Sequence, residues 1–372
     1  MKIAWLCKQK YMNHDVIQDQ YGRLYHLPNE LARRGHDVTG FCLNYTSSSR
    51  SIFRETYNPN GCRLSQWYSY PAGVFASNLI PYIKFMTYTI RKIQPDLLIG
   101  GSDCLHSILT RWVANKTNTP YLLDLYDNFE SFGMSRIPGM KSGHRKAIQN
   151  AAGITTISDS LNRYIRKLAP GNPIETINST ITAGEFIKQK MKDARASLGL
   201  PRDGIFIGTA GSLSADRGTG LLYEVIDLVK QDHPQTRLVL AGPAQGNPPP
   251  RRKDIIYLGE LLHAKIPALF NALDVALICM NPNSFGNYAF PQKAYEILSC
   301  KVPVIAAAVG PLQELFNDYP ECLYSPGDIA DLYKKIIGQI EKKSIVNLPI
   351  PTWSDQAEVL ERFIIEKILS KN

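Results

Sequence analysis

The side chains best suited to chemistry stand late in the chain. In Pro291-Gln292-Lys293-Ala294-Tyr295-Glu296, the lysine and the glutamate are three apart and share one side of a helix. Pro291 fits the first helical turn, where its missing N–H costs nothing. A helix start with a lysine beside it suits phosphate oxygens, and a carboxylate on the next turn can accept hydrogen bonds from a vicinal diol such as ribose. Together these features suit a nucleoside diphosphate. They also fit an ordinary amphipathic helix in front of the apolar run 302–307. A second cation, Arg217, follows the strand-and-glycine pattern Ile205-Phe206-Ile207-Gly208-Thr209-Ala210-Gly211-Ser212. Backbone N–H groups and one fixed guanidinium are there at hand for a diphosphate. In the first half, residues 121–130 carry Asp124, Asp127 and Glu130 at what reads as a strand end. Asp127 could contact or deprotonate a hydroxyl, and it serves as well as a loop-capping aspartate.

These pieces carry a family resemblance. Phe290-Pro291-x-Lys293-x-x-Glu296, with Cys300-Lys301-Val302-Pro303-Val304-Ile305-Ala306 and Gly310…Glu314 after it, resembles the C-terminal signature of family 4 glycosyltransferases with the GT-B fold. The opening strand, Gly22 loop and helix, and the strand ending at Pro95-Asp96-Leu97-Leu98-Ile99-Gly100-Gly101, are similar to that family's first domain. The resemblance implies an α/β fold of two Rossmann-like doubly wound domains facing an interdomain cleft. The acceptor-side domain would span 1–185 and the nucleotide-sugar-binding domain 186–352. A C-terminal helix, 353–372, would cross back to the first domain, with Trp353 where the family often has a tryptophan.

The same resemblance implies the site residues. Gly22, Gly211, Ser212, Arg217, Gly259, Tyr288, Pro291, Lys293 and Glu296 would line the donor, and Asp127, Arg217 and Lys293 would carry the chemistry. Asn178 fits the asparagine at which family members leave the first domain. The chain departs from the pattern at four points. The first of two family glutamates falls at Tyr288, Ser212 replaces a common arginine, Tyr126-Asp127 replaces His-Asp, and the first loop has one glycine where two are frequent.

The implied reaction is transfer of a sugar from a nucleoside diphosphate to a hydroxyl, with retention, without a metal, and with no cofactor beyond the donor. Surface polysaccharide or glycolipid synthesis is the expected setting, with a glycan or lipid-linked acceptor as partner. Two other readings stay open. One is a GT-B-fold sugar-nucleotide epimerase, for which His106, His233 and His263 show no matching pattern. The other is a non-catalytic GT-B binding module, to which Tyr288 and Ser212 point.

Around these residues, strands and helices must alternate to position them. Residues 3–7 and 36–42 read as strands flanking a helix, with Leu24, Leu27 and Leu31 at helical spacing and Gly35 as its stop. That βαβ opening contains no GxGxxG, so a nicotinamide-type dinucleotide site is poorly supported. Residues 43–70, with Ser47-Ser48-Ser49 and Asn58-Pro59-Asn60-Gly61, read as loop with a short strand toward Tyr70; residues 246–250 read as flexible. The length of 372 residues suggests two domains, and no apolar run approaches the ~20 residues of a membrane span. The start lacks a secretory signal's apolar core, so the cytoplasm is expected. The seven cysteines form no CxxC pair and read as reduced, buried thiols.

Charge is lopsided. Residues 1–190 hold 23 Lys and Arg against 13 Asp and Glu, a net +10, whereas residues 191–372 hold 19 against 20. An anionic membrane surface on the cytoplasmic side is the expected partner, with nucleic acid disfavoured for want of any motif; a merely solvated excess also fits. The basic, Met- and Ile-bearing stretch 133–146 and the aromatic, basic segment 81–93 are the places to look.

Overall fold

The computed structural model of the protein describes residues 1–12, 14–45, 51–53, 65–73, 77–244 and 248–371. The loop expectations for residues 47–49, 58–61 and 246–247 lie outside the described residues. The chain divides into two compact units: Met1–Ser179 with Pro351–Asn372, and Thr180–Ile350. Residues 180–185 therefore go with the second unit.

In the first unit, β1 (Lys2–Lys8) is buried from Ile3 to Cys7, as a strand covered on both faces must be. Then follow the short hairpin β2 (Lys10–Tyr11) and β3 (His14–Asp15), α1 (Arg23–Arg33), β4 (Asp37–Asn44), β5 (Ser51–Phe53), β6 (Gln66–Pro71), α2 (Leu79–Ile93) and β7 (Leu97–Gly101). The unit continues with α3 (Cys104–Thr117), β8 (Tyr121–Leu125), α4 (Met140–Gln149), β9 (Gly153–Thr156), α5 (Asp159–Leu168) and β10 (Ile174–Thr176). The sheet runs β10-β9-β8-β7-β1-β4-β6-β5, parallel except where β5 meets β6. Helix α1 stops as its sequence predicts. Gly35 takes φ 93°, and the N–H groups of Gly35 and His36 donate back to Ala32 and Leu31.

The second unit holds α6 (Met191–Ser197), β11 (Ile205–Ala210), α7 (Leu221–Asp232), β12 (Thr236–Ala241), β13 (Ile255–Tyr257), α8 (Ile266–Ala272) and β14 (Val275–Ile278). It closes with α9 (Lys293–Ser299), β15 (Val304–Ala307), α10 (Gly310–Leu315), β16 (Leu323–Tyr324) and α11 (Ile329–Glu341). Its sheet, β13-β12-β11-β14-β15-β16, is wholly parallel, and β15 is buried throughout. In each sheet the strand order reverses beside the unit's first long strand, between β1 and β7 and between β11 and β14. Open α/β sheets bind ligands beyond the carboxyl ends of strands at such reversals.

The last helix, α12 (Trp353–Phe363), belongs to the first unit, as expected. Thr352 and Asp355 form a capping box at its start. Trp353 stacks on His26 at 5.2 Å, and Glu361 accepts from Arg34 Nε and His36 Nε2, each at 2.6 Å. A π-type turn, Ile364–Ile368, continues the helix. There Ile368 packs over Gly153 so closely that a Cβ would lie 2.6 Å from its methyl. Among the described residues no helix is long and apolar enough to cross a membrane. Six cysteines are free and buried; Cys62 lies outside the described residues.

One buried ion pair ties the first unit together. Asp124, 1% exposed, accepts from Arg23 Nε at 3.1 Å, Arg23 Nη2 at 2.7 Å and Thr155 Oγ1 at 2.7 Å. Arg23 Nη1 donates to the Ile177 carbonyl at 2.8 Å. The start of α1, the ends of β8 and β9 and the chain's way out of the sheet thus meet at one guanidinium. Removing one partner leaves a dry, uncompensated charge. Arg23→Met is expected to cost about 3–5 kcal/mol in urea unfolding, and adding Asp124→Leu should restore most of it. Wild-type stability of the single variant would refute this account.

Candidate functional site

The carboxyl edge of the second sheet is a ridge of glycines. β11, β12 and β13 end side by side, and each leads into a left-handed residue: Gly211 (φ 113°), Gly242 (φ 126°) and Gly259 (φ 70°). Gly211 N–H donates to Ala241 O at 2.9 Å, and Gly242 N–H to Gly259 O at 2.8 Å. A Cβ on Gly242 would lie 2.1 Å from the Gly211 carbonyl, and one on Gly211 would lie 3.0 Å from Lys293 Nζ. Above Gly259 a Cβ would meet nothing within 4 Å. Side chains are thus crowded out at Gly211 and Gly242, and the positive φ at all three positions favours glycine, so backbone is what the ridge offers. Ser212, half-buried, stands on it beside Gly211.

Two cations converge on this ridge. Lys293, the first residue of α9, donates to the Ala210 carbonyl at the end of β11. Burial, reinforced by the nearby Arg217 guanidinium, lowers its pKa to about 8, against the opposing pull of Cys279 and Glu296. Arg217 closes a 3-10 turn, Ala215–Arg217, and its guanidinium lies 4.1 Å from the centre of the Phe285 ring. The loop after β14 holds that turn in place. Asn281 Nδ2 donates to Ala215 O and Asn283 Nδ2 to Asp216 O, both at 3.0 Å. Tyr288, half-buried, donates its N–H to Phe285 O at 3.1 Å in the same loop.

Glu296, half-buried, stands three residues on from Lys293 in α9. Burial pushes its carboxyl up to about 7, opposed by His263 and Lys293 and assisted by Glu185. His263 Nε2 lies 2.8 Å from Glu185 Oε1, and that hydrogen bond raises the imidazole's pKa. The helix beneath is shorter than its sequence suggests. Pro291 and Gln292 precede α9, and their carbonyls receive Ala294 N at 2.9 Å and Tyr295 N at 3.0 Å. Pro291 is therefore outside the helix, whose seven residues make a weak dipole, so the positive potential comes from Lys293 and Arg217.

The first unit places its predicted residues less openly. Gly22 (φ 67°) begins α1 under the Tyr11 ring, which a Cβ would approach to 2.9 Å. The glycine thus admits a tyrosine there. Asp127 is half-buried and accepts Asn128 N–H at 2.8 Å, a loop cap. Of its neighbours, Asp124 is consumed by Arg23, and Glu130 accepts from Arg145 Nε and Nη2 at 2.7 and 2.8 Å with Lys141 at 3.3 Å. His144 is buried, and burial pulls its pKa down to about 4. Lys141 and Arg145 thus share the single Glu130 carboxylate and His144 is neutral, so Arg136, Lys141, Arg145 and Lys146 against Glu130 keep three positive charges in excess. Asn178 Nδ2 donates to Ile157 O at 2.7 Å.

Gly242, Asn281, Asn283 and Phe285 were not predicted as site residues, because a polar loop carries no periodicity to mark it. Among the described residues no group of three or more His, Cys, Asp or Glu could hold a metal ion.

The unfolded chain keeps Lys293 protonated to about 10.5 and the folded chain only to about 8. Its charge therefore costs stability below pH 8, and the cost is relieved as pH rises through that interval. Affinity for inorganic pyrophosphate is expected to fall up to tenfold per pH unit above about 8. Lys293→Met should abolish that dependence while raising the melting temperature at pH 7. Calorimetric titration across pH 6.5–9.5 and a thermal scan check both; an unchanged pH profile in the variant would count against the site.

The chain is similar to known proteins in sequence pattern and in fold. Residues 23–178 match the pattern described as "Glycosyl transferase 4-like domain", and residues 204–342 that described as "Glycosyl transferases group 1". A putative teichuronic acid biosynthesis glycosyltransferase of Bacillus subtilis is 24% identical over 63% of this chain and 59% of its own length. The chain thus spans little more than half the length of that curated relative. Among solved structures, sucrose-phosphate synthase from Thermosynechococcus elongatus superposes with a TM-score of 0.69 at 18% identity, covering 99% of this chain and 95% of that one. Anabaena HepE in complex with UDP gives 0.68 at 16% identity, covering 100% and 97%. At these identities the likeness establishes the fold.

Proposed function

The chain belongs to the 4-like, group 1 glycosyl transferases of the GT-B fold, and from that premise we propose that it moves a sugar from a nucleoside diphosphate to a hydroxyl acceptor. The observation that carries this reading is the convergence of Lys293 and Arg217 on a ridge of bare backbone. Two like charges that disfavour one another gain from an anion placed against both, and a pyrophosphate fits. UDP in the solved HepE complex supports a uridine donor. Glu296, ionised above about 7, would accept hydrogen bonds from the ribose diol, and the open space above Gly259 suits the base.

The donor's C1–O bond breaks with its electron pair passing to the β-phosphate oxygen, where the two cations stabilise the developing charge. The acceptor oxygen bonds to C1, and its proton is taken by Asp127. Retention at C1 and independence of a metal belong to the same proposal, as does a role in building a surface glycan, the setting named for the Bacillus relative. Contact of the basic first unit with an anionic membrane belongs to it as well, since Glu130 offsets only one of the four cationic charges in 133–146.

UDP is expected to raise the melting temperature, because binding to the folded state alone stabilises it. Arg217→Ala should lower turnover of UDP-sugars about 10²–10³-fold, the usual loss for one preorganised charge at a leaving group. Near-normal turnover would remove Arg217 from the mechanism. UDP binding without transfer or hydrolysis over broad donor and acceptor panels would mark a binding module instead.

A further inference from the structure

The second unit holds a cavity on the edge of its sheet opposite the glycine ridge. It has a volume of about 350 Å³ and opens where β11, β12 and β13 begin, walled in part by Asp203, Gln235, Thr236, Arg237, Lys253 and Asp254. Small-molecule pockets run from about 300 to 1,000 Å³, so the ligand that fits here is compact. Open parallel sheets hold their substrates at the other edge, and the transferase reading uses none of these residues.

Thr236 is left incomplete by the fold. It opens β12, is 1% exposed, and its Oγ1 has no hydrogen-bond partner. Its backbone is satisfied, with the N–H donating to His233 O at 2.9 Å. Buried hydroxyls are nearly always paired, because an unpaired one has given up its bonds to water for nothing.

Two cations line the same cavity without an acid. Arg237, half-buried, and Lys253, exposed, make no ion pair or side-chain hydrogen bond among the described residues. The buried acid of the wall is already occupied. Asp254 accepts from Lys230 Nζ at 3.1 Å and from Arg252 Nε and Nη2 at 3.1 and 2.7 Å. The Arg252 hydrogen bonds, assisted by Lys230, hold its carboxyl far below the usual carboxylate range. Asp203 is exposed and makes no ion pair among the described residues, and Gln235 adds an amide.

Unpaired cations favour an anion. A hydroxyl, an amide and a carboxylate beside them favour a ligand rich in hydroxyls. Among the described residues the cavity has no aromatic ring to stack a base, and no apolar side chain beyond Pro234 to hold an alkyl chain. We propose that it binds a monosaccharide phosphate, with the phosphate on Arg237 and Lys253 and the sugar hydroxyls on Thr236, Gln235 and Asp203. The site is independent of the donor reading and does not rest on it.

Calorimetric titration of the full chain tests this, with glucose 1-phosphate, glucose 6-phosphate, mannose 6-phosphate, inorganic phosphate and glucose as probes. At least one ester is expected to bind one-to-one, at least tenfold more tightly than inorganic phosphate or glucose. Arg237→Gln and Lys253→Gln should each weaken it at least fivefold, whereas Lys293→Met, at the donor ridge, should leave it within twofold. Thr236→Val keeps the shape and removes the hydroxyl. It should weaken the ester at least threefold, with the ligand-free melting temperature at or above that of the wild type. A fall in that temperature would show the hydroxyl already satisfied within the fold, and it overturns the proposal. So do the absence of ester binding, inorganic phosphate binding as tightly as every ester, loss of binding in Lys293→Met, or binding indifferent to both Arg237→Gln and Lys253→Gln. Failure of the donor reading shows separately, as absent UDP binding.

Discussion

Parallel strands bring their carboxyl ends to one edge, and most of what is distinctive in this protein follows from that constraint. A strand that ends at a shared edge must turn immediately into a loop or a helix without colliding with its neighbour doing the same. In the second unit the collision is avoided by Gly211, Gly242 and Gly259, whose left-handed backbones interlock where any Cβ on the first two would crowd a carbonyl or an ammonium. The same absence of side chains leaves polar backbone beside Lys293 and Arg217. Geometry required by folding and geometry useful to a phosphate coincide.

Holding the two cations there is unfavourable to the empty protein. Lys293 is half-buried against Ala210 and Gly211, near a second positive charge, and its lowered pKa records both penalties. Glu296 carries the opposite burden, a carboxyl that burial keeps near neutrality. The site therefore stores free energy that a ligand of suitable charge releases. The first unit treats its charges differently. Arg23 and Asp124 neutralise each other in the dry interior, and Glu130 gathers Arg145 and Lys141. Those charges hold structure together.

The legibility of these features in the sequence varied with their physical origin. Apolar runs and helical stripes announced a βαβ opening, because burial on both faces demands continuous hydrophobicity and helices on the outside demand a 3.6-residue period, while the pair of doubly wound sheets was implied by the family resemblance. Gly35 and the Thr352–Asp355 box announced helix ends for equally local reasons. Lys293, Glu296, Gly211 and Arg217 could be picked out because each sits next to an element boundary that the pattern reveals.

What the chain alone determined was therefore the order of elements, their ends and the residues offered at each end. Which charges would be spent on one another was decided only by the tertiary structure. Asp124, Asp127 and Glu130 look alike along the chain, yet one meets Arg23 across 101 positions, one caps its own loop, and one is claimed by Arg145. In the basic stretch 133–146, Lys141 and Arg145 share that one Glu130 carboxylate, which no spacing along the chain announces. Electrostatic pairing depends on distance in space, and a linear sequence carries no record of which strand edge a distant side chain will reach.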